Sequence, residues 1–413
     1  MKYTNYLHKR LFNTKFIKKI GNTPISIAYH IPDTLLYTIC RVFPVRKKIA
    51  FTSYFGKDYG DNPKYIAEKI IEENLFDDII WLVSDKKLLT ENHLPKEIRA
   101  VYSKSLRGVY EQATAKVWID NARKPFYVLK RKTQIYIQTW HGSIALKKIE
   151  KDAWATLPKS YIRNAMHDSN ICDLMVSGSK YISRLYRDAF WYDGDILECG
   201  DARNDILISA DRNKRESILN QLFDGKRDFT NKKILLYAPT FRVSGRLDVY
   251  DIDFKRCCDA LRGRFESEWI CLMRLHPNIA EKSSNLNINH PNIIDVSSYP
   301  DMQELLAISD VLITDYSSCM FDFMLTKRPC FLYTPDVADY MDDRGFYMSL
   351  DELPFPRGNT NDELIEAIRN FQDESYQEQL TKFKDKVQIY DKGNASKAVV
   401  DWIKERLESE KKK

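Results

Sequence analysis

Three polar clusters in this chain each close an apolar run: Thr139-Trp140-His141-Gly142, Arg274-Leu275-His276-Pro277 and Thr314-Asp315-Tyr316-Ser317-Ser318. An imidazole titrates near neutral pH, so His141 and His276 could each move a proton or donate to an anion. Ser317 and Ser318 fall where a strand would give way to a helix, and hydroxyls with free amides there could hold a diphosphate. Parallel α/β sheets bind ligands at the carboxyl ends of their strands. Three such ends imply one convergent active site, in an enzyme acting on a phosphorylated ligand. Each cluster also has a plainer reading: a packed histidine, or a Ser-Ser pair that only caps its helix.

Neighbouring residues extend the pattern. Pro277 would end its strand and aim the loop, with Arg274 just before it. Tyr237-Ala238-Pro239-Thr240-Phe241-Arg242 repeats that design, a proline at the exit and then a cation. Arg242 could meet phosphate bidentately, although a surface ion pair is the default. Gly142 would let the backbone turn closely and leave His141 unshielded. Lys147, Lys148 and Asp152 could steer an anionic acceptor, and Gly200-Asp201-Ala202-Arg203-Asn204-Asp205 could frame a hinge. Nothing in the chain has the rhythm of a metal site.

The elements that must position these residues are short apolar runs alternating with longer amphipathic ones. Candidate strands are 49–53, 79–84, 117–120, 135–139, 174–177 and 196–199, then 234–238, 269–274, 293–296, 311–314 and 330–333. Helical patterns stand between them, at 63–74, 106–115, 253–265, 302–309 and 318–325. A polar stretch at 205–233 separates the two series. Strands spaced by helices imply parallel sheets, and two series imply two Rossmann-like domains facing a cleft. The last helical pattern, 362–410, is long enough to include a helix returning to the first domain. At 413 residues two domains are expected in any case. We place the boundaries at 1–46, 47–215, 216–390 and 391–413.

Composition narrows the class. Eight cysteines show no Cys-x-x-Cys pair and suit a reducing cytosol. Residues 1–50 carry ten Lys or Arg against Asp33 alone, a charge of +9, while the whole chain is +6. The remainder is therefore −3, and the basic character belongs to the front end. Leu11, Phe12, Phe16, Ile17 and Ile20 gather on one helical face with lysines opposite. Such a segment lies in a membrane interface on anionic lipid; the alternative is a helix packed on the protein. No run reaches the ~18 apolar residues of a membrane span. A localised charge without interleaved stacking aromatics speaks against nucleic acid.

Taken in order, the clusters resemble the CDP-glycerol glycerophosphotransferase family, the teichoic acid glycerol-phosphate and ribitol-phosphate primases and polymerases. The matching pieces are Thr139 to Gly142 with Leu146-Lys147-Lys148 and Asp152, Gly200 to Asp205, Tyr237 to Arg242, Arg274 to Pro277 and Asp310 to Ser318. Arg328-Pro329 and Arg344-Gly345-Phe346-Tyr347 continue it, so the resemblance covers roughly 47–400. Two positions depart: Ser143-Ile144-Ala145 stands where the family has Thr-Pro-Leu, and Ala202 replaces the proline of Gly-x-Pro-Arg. The resemblance implies a GT-B-type α/β fold at the cytoplasmic face of a bacterial cell membrane, peripherally bound. It implies a CDP-polyol donor, glycerol favoured over ribitol, and a polyprenyl-diphosphate-linked saccharide or polyol-phosphate acceptor. In that reading His141 is the general base, while His276, Ser317, Ser318 and Arg242 hold the diphosphate. Asp315 orients His276 or a hydroxyl, and Gly142, Lys147, Arg203 and Arg274 contact substrate. No cofactor and no obligatory metal are expected. The rivals are a GT-B sugar glycosyltransferase and a non-catalytic polymer-binding protein.

Overall fold

Branched and aromatic apolar runs form the strands, because side chains of that shape fill a sheet buried on both faces. The structure is a computed structural model that describes residues 30–90, 94–223, 229, 232–242, 246–275, 292–337 and 345–411. Seven strands build the first sheet: β1 (Arg46–Thr52), β2 (Ile79–Val83), β3 (Ile98–Tyr102), β4 (Ala115–Asp120), β5 (Ile135–Gln138), β6 (Leu174–Ser177) and β7 (Asp195–Glu198). They run parallel in the order β3-β2-β1-β4-β5-β6-β7. The second sheet comprises β8 (Lys232–Tyr237), β9 (Glu268–Met273), β10 (Ile293–Asp295), β11 (Val311–Thr314), β12 (Cys330–Tyr333) and β13 (Arg357–Gly358). Its order is β10-β9-β8-β11-β12-β13, also parallel.

Both orders reverse at an inner pair, β1/β4 and β8/β11, which is the topological switch point of a doubly wound sheet. This is the two-sheet GT-B arrangement that the resemblance implies. Trp81, Trp118, Tyr136 and Phe51 are fully buried around the first sheet, each adding roughly 2–3 kcal/mol of apolar burial. The periodicity misses β3 and β13. β3 is an edge strand of mixed exposure, and β13 is two residues long. The polar stretch after Asp205 holds two helices, Asp205–Ser209 and Arg212–Phe223.

The chain joins the sheets in several places. The helix Ala395–Lys411 returns to the first sheet, where Val399, Val400 and Ile403 share a core with Ile66, Ala67 and Ile70 of the helix Asp61–Glu72. Lys147 bridges Phe346 as a short antiparallel pair, with Lys148 N to Gly345 O at 3.1 Å and Tyr347 N to Leu146 O at 2.8 Å. Ile144 and Leu146 belong to the core of the second sheet. A second pair joins Ser179 to Ile389. The apolar face at 11–20 lies outside the described residues. Among those described, no helix is long and apolar enough to cross a membrane.

Candidate active site between the two sheets

β5 ends at Gln138, and Thr139-Trp140-His141 leaves its carboxyl end. Trp140 turns through a left-handed φ of 52°, fixed by its N–H to Gln138 Oε1 at 2.9 Å. Its indole lies over Arg123, which is buried between Glu150 (2.9 Å) and Asp168 (3.0 Å). This platform holds the next residue. His141 Nδ1 lies 2.8 Å from the carbonyl of Asn121. A carbonyl only accepts, so Nδ1 carries the proton and Nε2 keeps its lone pair. Gly142 does not supply the turn: its φ is ordinary, and a Cβ there would meet only Ile144 O at 3.8 Å.

Burial lowers the His141 pKa, and nearby Arg203 lowers it further; Asp61 and the Asn121 carbonyl oppose them. Neutral imidazole is therefore the favoured form at physiological pH. Left-handed non-glycine residues crowd this corner: Tyr54 (φ 44°), Phe55 (62°) and Asp61 (57°) join Trp140. Each costs on the order of 1 kcal/mol or more, and such outliers gather at functional sites.

Arg203 closes the floor between the sheets. Its guanidinium donates to Asp61 at 2.8 Å and to Asp322 at 3.1 Å, with Asp201 at 3.9 Å. All four side chains are buried. Asp322 comes from the helix Cys319–Phe323 of the second sheet and also accepts from Gln303 at 3.0 Å. Ser143 donates to Asp201, so the two departures from the family pattern, at 143 and 202, lie side by side. Burial pushes Asp201 up to about 6, aided by Asp322 and opposed by Arg203. Asp391, whose Oδ1 accepts from Asp201 N at 2.9 Å, is raised mainly by burial.

On the second sheet, Thr240 follows β8 and Asp315 follows β11, flanking the switch point. Asp315 accepts from Thr240 N at 2.9 Å, from the Thr240 hydroxyl and from Arg242 Nη1 at 2.8 Å. Arg242 is also held by Asp336, at 2.6 and 3.0 Å. Both carboxylates thus hold its fork. Ser317 and Ser318 stand just before the helix Cys319–Phe323. Ser318 is exposed and makes no capping bond, while Ser317 Oγ takes a long bond, 3.4 Å, from Cys319 N and meets the Cys319 thiol.

Arg274 leaves β9 with weaker company. Its Nη1 faces the Met302 sulfur at 3.2 Å, Nη2 reaches Tyr299 O at 3.4 Å, and Nε has no partner. Burial lowers its pKa; Asp301, and Tyr54 and Asp58 from the other sheet, counter that. An underused guanidinium between the sheets suits an anion. Lys147 is taken up in the seam with Phe346. His276 lies outside the described residues.

The structure therefore brings His141 and Arg203 into one network and Asp315 and Arg242 into another, with Ser317 and Ser318 close to the second; Arg274 stands apart, beside Tyr299 and Met302. Sequence reasoning missed Tyr54, Asp61, Asn121, Asp322 and Asp336. One signal was present: Tyr333-Thr334-Pro335-Asp336 leaves its strand as Tyr237-Ala238-Pro239-Thr240 does. Asp61 and Asp322 had none, because their meaning depends on Arg203. Among the described residues, no His, Cys, Asp and Glu side chains gather as a metal site.

A profile of the family described as CDP-Glycerol:Poly(glycerophosphate) glycerophosphotransferase matches residues 35–405. The teichoic acid poly(glycerol phosphate) polymerase of Bacillus spizizenii is 34% identical over 382 residues, covering 89% of this chain and 95% of the relative. The teichoic acid glycerol-phosphate transferase of Staphylococcus aureus is 33% identical over 399 residues, covering 93% and 99%. The chain spans about half of two longer polymerases, from Staphylococcus epidermidis and Bacillus subtilis (50% and 53%). Among solved structures, the wall teichoic acid polymerase TagF superposes with a TM-score of 0.78 at 31% identity, covering 97% of this chain and 99% of TagF. The chain belongs to the CDP-glycerol:poly(glycerophosphate) glycerophosphotransferase family.

Proposed function

We propose that this protein transfers a polyol phosphate, glycerol phosphate in preference to ribitol phosphate, from a CDP-polyol to a hydroxyl of a polyprenyl-diphosphate-linked acceptor. The observation that carries the reading is His141, whose Nδ1–H is fixed by the Asn121 carbonyl and whose Nε2 is left for a substrate proton. The acceptor hydroxyl gives its proton to Nε2, its oxygen attacks the phosphorus bearing the polyol, and the bond to CMP breaks. Arg274, Ser317 and Ser318 hold the diphosphate with His276 and stabilise the charge that collects on CMP. Asp315, through Thr240 and Arg242, shapes that pocket. Residues 47–215 carry the acceptor side and 216–390 the donor side.

Glycerol is favoured because the glycerol-phosphate relatives are 32–34% identical, while a ribitol-phosphate polymerase and primase of Bacillus spizizenii are 30% and 27%. The acceptor's lipid places the work at the cytoplasmic face of the membrane. The helix Ile31–Cys40 fits that: Ile31, Leu35, Ile39 and the following Val42 form an exposed stripe (53–84% exposed) beside Arg41, Arg46 and Lys47. An apolar stripe edged by cations is the chemistry of an anionic bilayer surface.

The test is CMP release with a lipid-linked acceptor, comparing CDP-glycerol, CDP-ribitol and a UDP-sugar. Release from CDP-glycerol, reduced about 10²–10⁴-fold in His141→Ala, is expected. Release from the UDP-sugar alone, or an unimpaired His141→Ala, would overturn the reading.

A further inference from the structure

The carbonyl that fixes His141 carries no full charge, so the imidazolium formed when His141 takes a proton needs its counter-charge from elsewhere. One carboxylate is built into place for this. Asp61 opens the helix Asp61–Glu72 in a left-handed conformation (φ 57°). Its oxygens are held by the Tyr54 hydroxyl at 2.5 Å, by Arg203 at 2.8 Å and by the backbone N–H of Asn62 at 2.7 Å. Tyr54 also faces His141, ring centroids 5.8 Å apart, and its backbone N–H donates to Asn121 Oδ1 at 2.8 Å. The side-chain amide of Asn62 reaches the carbonyl of Trp140 at 3.2 Å. The segments that hold Asp61 are thus the segments that hold His141.

We propose that Asp61 is a positioning residue for His141: with the tautomer set by the Asn121 carbonyl, its carboxylate supplies the charge that makes the imidazole basic enough to accept the acceptor's proton. This rests on the reading of His141 as the general base. The charged and titratable groups around the imidazole are Asp61, Arg203, Glu150 and Tyr54, with Asp322 behind Arg203. Burial is the largest influence on Asp61 and would raise it; Arg203, the Tyr54 hydroxyl and His141 outweigh burial and keep it ionised. Arg203 acts on His141 in the opposite sense to Asp61. Neutralising Asp61 therefore removes the largest influence opposing burial and the guanidinium, leaving only the Asn121 carbonyl and Glu150 against them, and the imidazole becomes a weaker base.

The experiment is histidine-selective ¹⁵N and ¹³C NMR on the full chain, tractable with seven histidines, with the His141 signal assigned by its loss in His141→Ala. The wild type is expected to show Nδ1 protonated and Nε2 free in the neutral form. In Asp61→Asn the His141 titration midpoint should fall, the acid limb of kcat/KM should move down with it, and kcat should drop about tenfold or more. Asp61→Glu keeps the charge and should return both toward wild type. A neutral His141 protonated on Nε2, or a midpoint unmoved by Asp61→Asn, overturns the proposal. So does an equal fall in Asp61→Asn and Asp61→Glu. Should Asp61→Asn not fold, the wild-type tautomer still decides whether the Asn121 carbonyl sets the base. A fully active His141→Ala, by contrast, removes the base reading itself.

Discussion

Replacing Arg203 with methionine separates two roles that its sequence position leaves open, ligand for substrate and latch between the sheets. Methionine keeps much of the buried volume and removes the cation. Asp61 and Asp322, at 2.8 and 3.1 Å, and Asp201 at 3.9 Å then face one another without it. Stranding buried carboxylates this way costs about 3–5 kcal/mol. Unfolding entropy near 2.1 cal/mol/K per residue gives roughly 0.9 kcal/mol/K over 413 residues. The melting temperature should therefore fall by about 3–6 °C, read by scanning fluorimetry at pH 7.5. Adding Asp322→Asn removes one stranded charge and should recover about 1 kcal/mol or more, a coupling that independent sites lack. A Tm unchanged within a degree, together with a donor KM raised tenfold, would refute the latch and make Arg203 a substrate ligand.

Two further outcomes follow from the same groups and surfaces. Asp201, pushed up to about 6 by burial, holds a proton in the folded state that the unfolded chain, with a carboxyl near ~4, has released. Its stabilising contribution is whole below pH ~4 and lost as the pH rises through ~6. Asp201→Asn should accordingly stabilise the protein at pH 7.5, by on the order of 1–3 kcal/mol, and the gain should fade by pH ~4.5 in paired denaturant titrations. Glutamate in place of Leu35 and Ile39, both over half exposed, should leave Tm within about 1 °C while weakening sedimentation with anionic vesicles about tenfold or more. Undiminished sedimentation would remove this helix from the membrane surface.

The sheets were legible because buried parallel strands are continuous apolar runs, and all eleven candidate spans begin within three residues of an observed strand and end within one. β3 was lost because Ile98-Arg99-Ala100-Val101-Tyr102 mixes exposed and buried positions as an edge strand can. The site was legible where chemistry is local. His141, Asp315, Ser317 and Ser318 stand at strand exits, and their neighbours announce it. It was illegible where chemistry is a relation between distant residues. Arg242 looked like a phosphate fork, yet Asp315 and Asp336 fill it, 73 and 94 residues away in sequence. Asp61 is one charge among many until Arg203 arrives from 142 residues along the chain.

The two switch points use one device with different charge, and the difference follows from the work on each side. In the first sheet the residue after β4, Asn121, accepts the backbone N–H of Tyr54 on its side-chain oxygen at 2.8 Å. In the second the residue after β11, Asp315, accepts the backbone N–H of Thr240 at 2.9 Å. Each ties the loop leaving the central strand to its neighbour. A carboxylate is tolerable at 315 because Arg242 stands beside it at 2.8 Å. At 121 it would be a second acid beside His141, in addition to Asp61. It would push the imidazole up and hold it protonated near neutral pH, where a protonated base accepts nothing. An amide ties the same loop without that charge, and leaves the basicity of His141 to burial and Arg203, which lower it, acting against Asp61. The loop beyond His141 then seats Ile144 and Leu146 in the core of the second sheet. The position of His141 is thereby coupled to the second sheet, so a displacement of one sheet against the other moves the imidazole's loop with it.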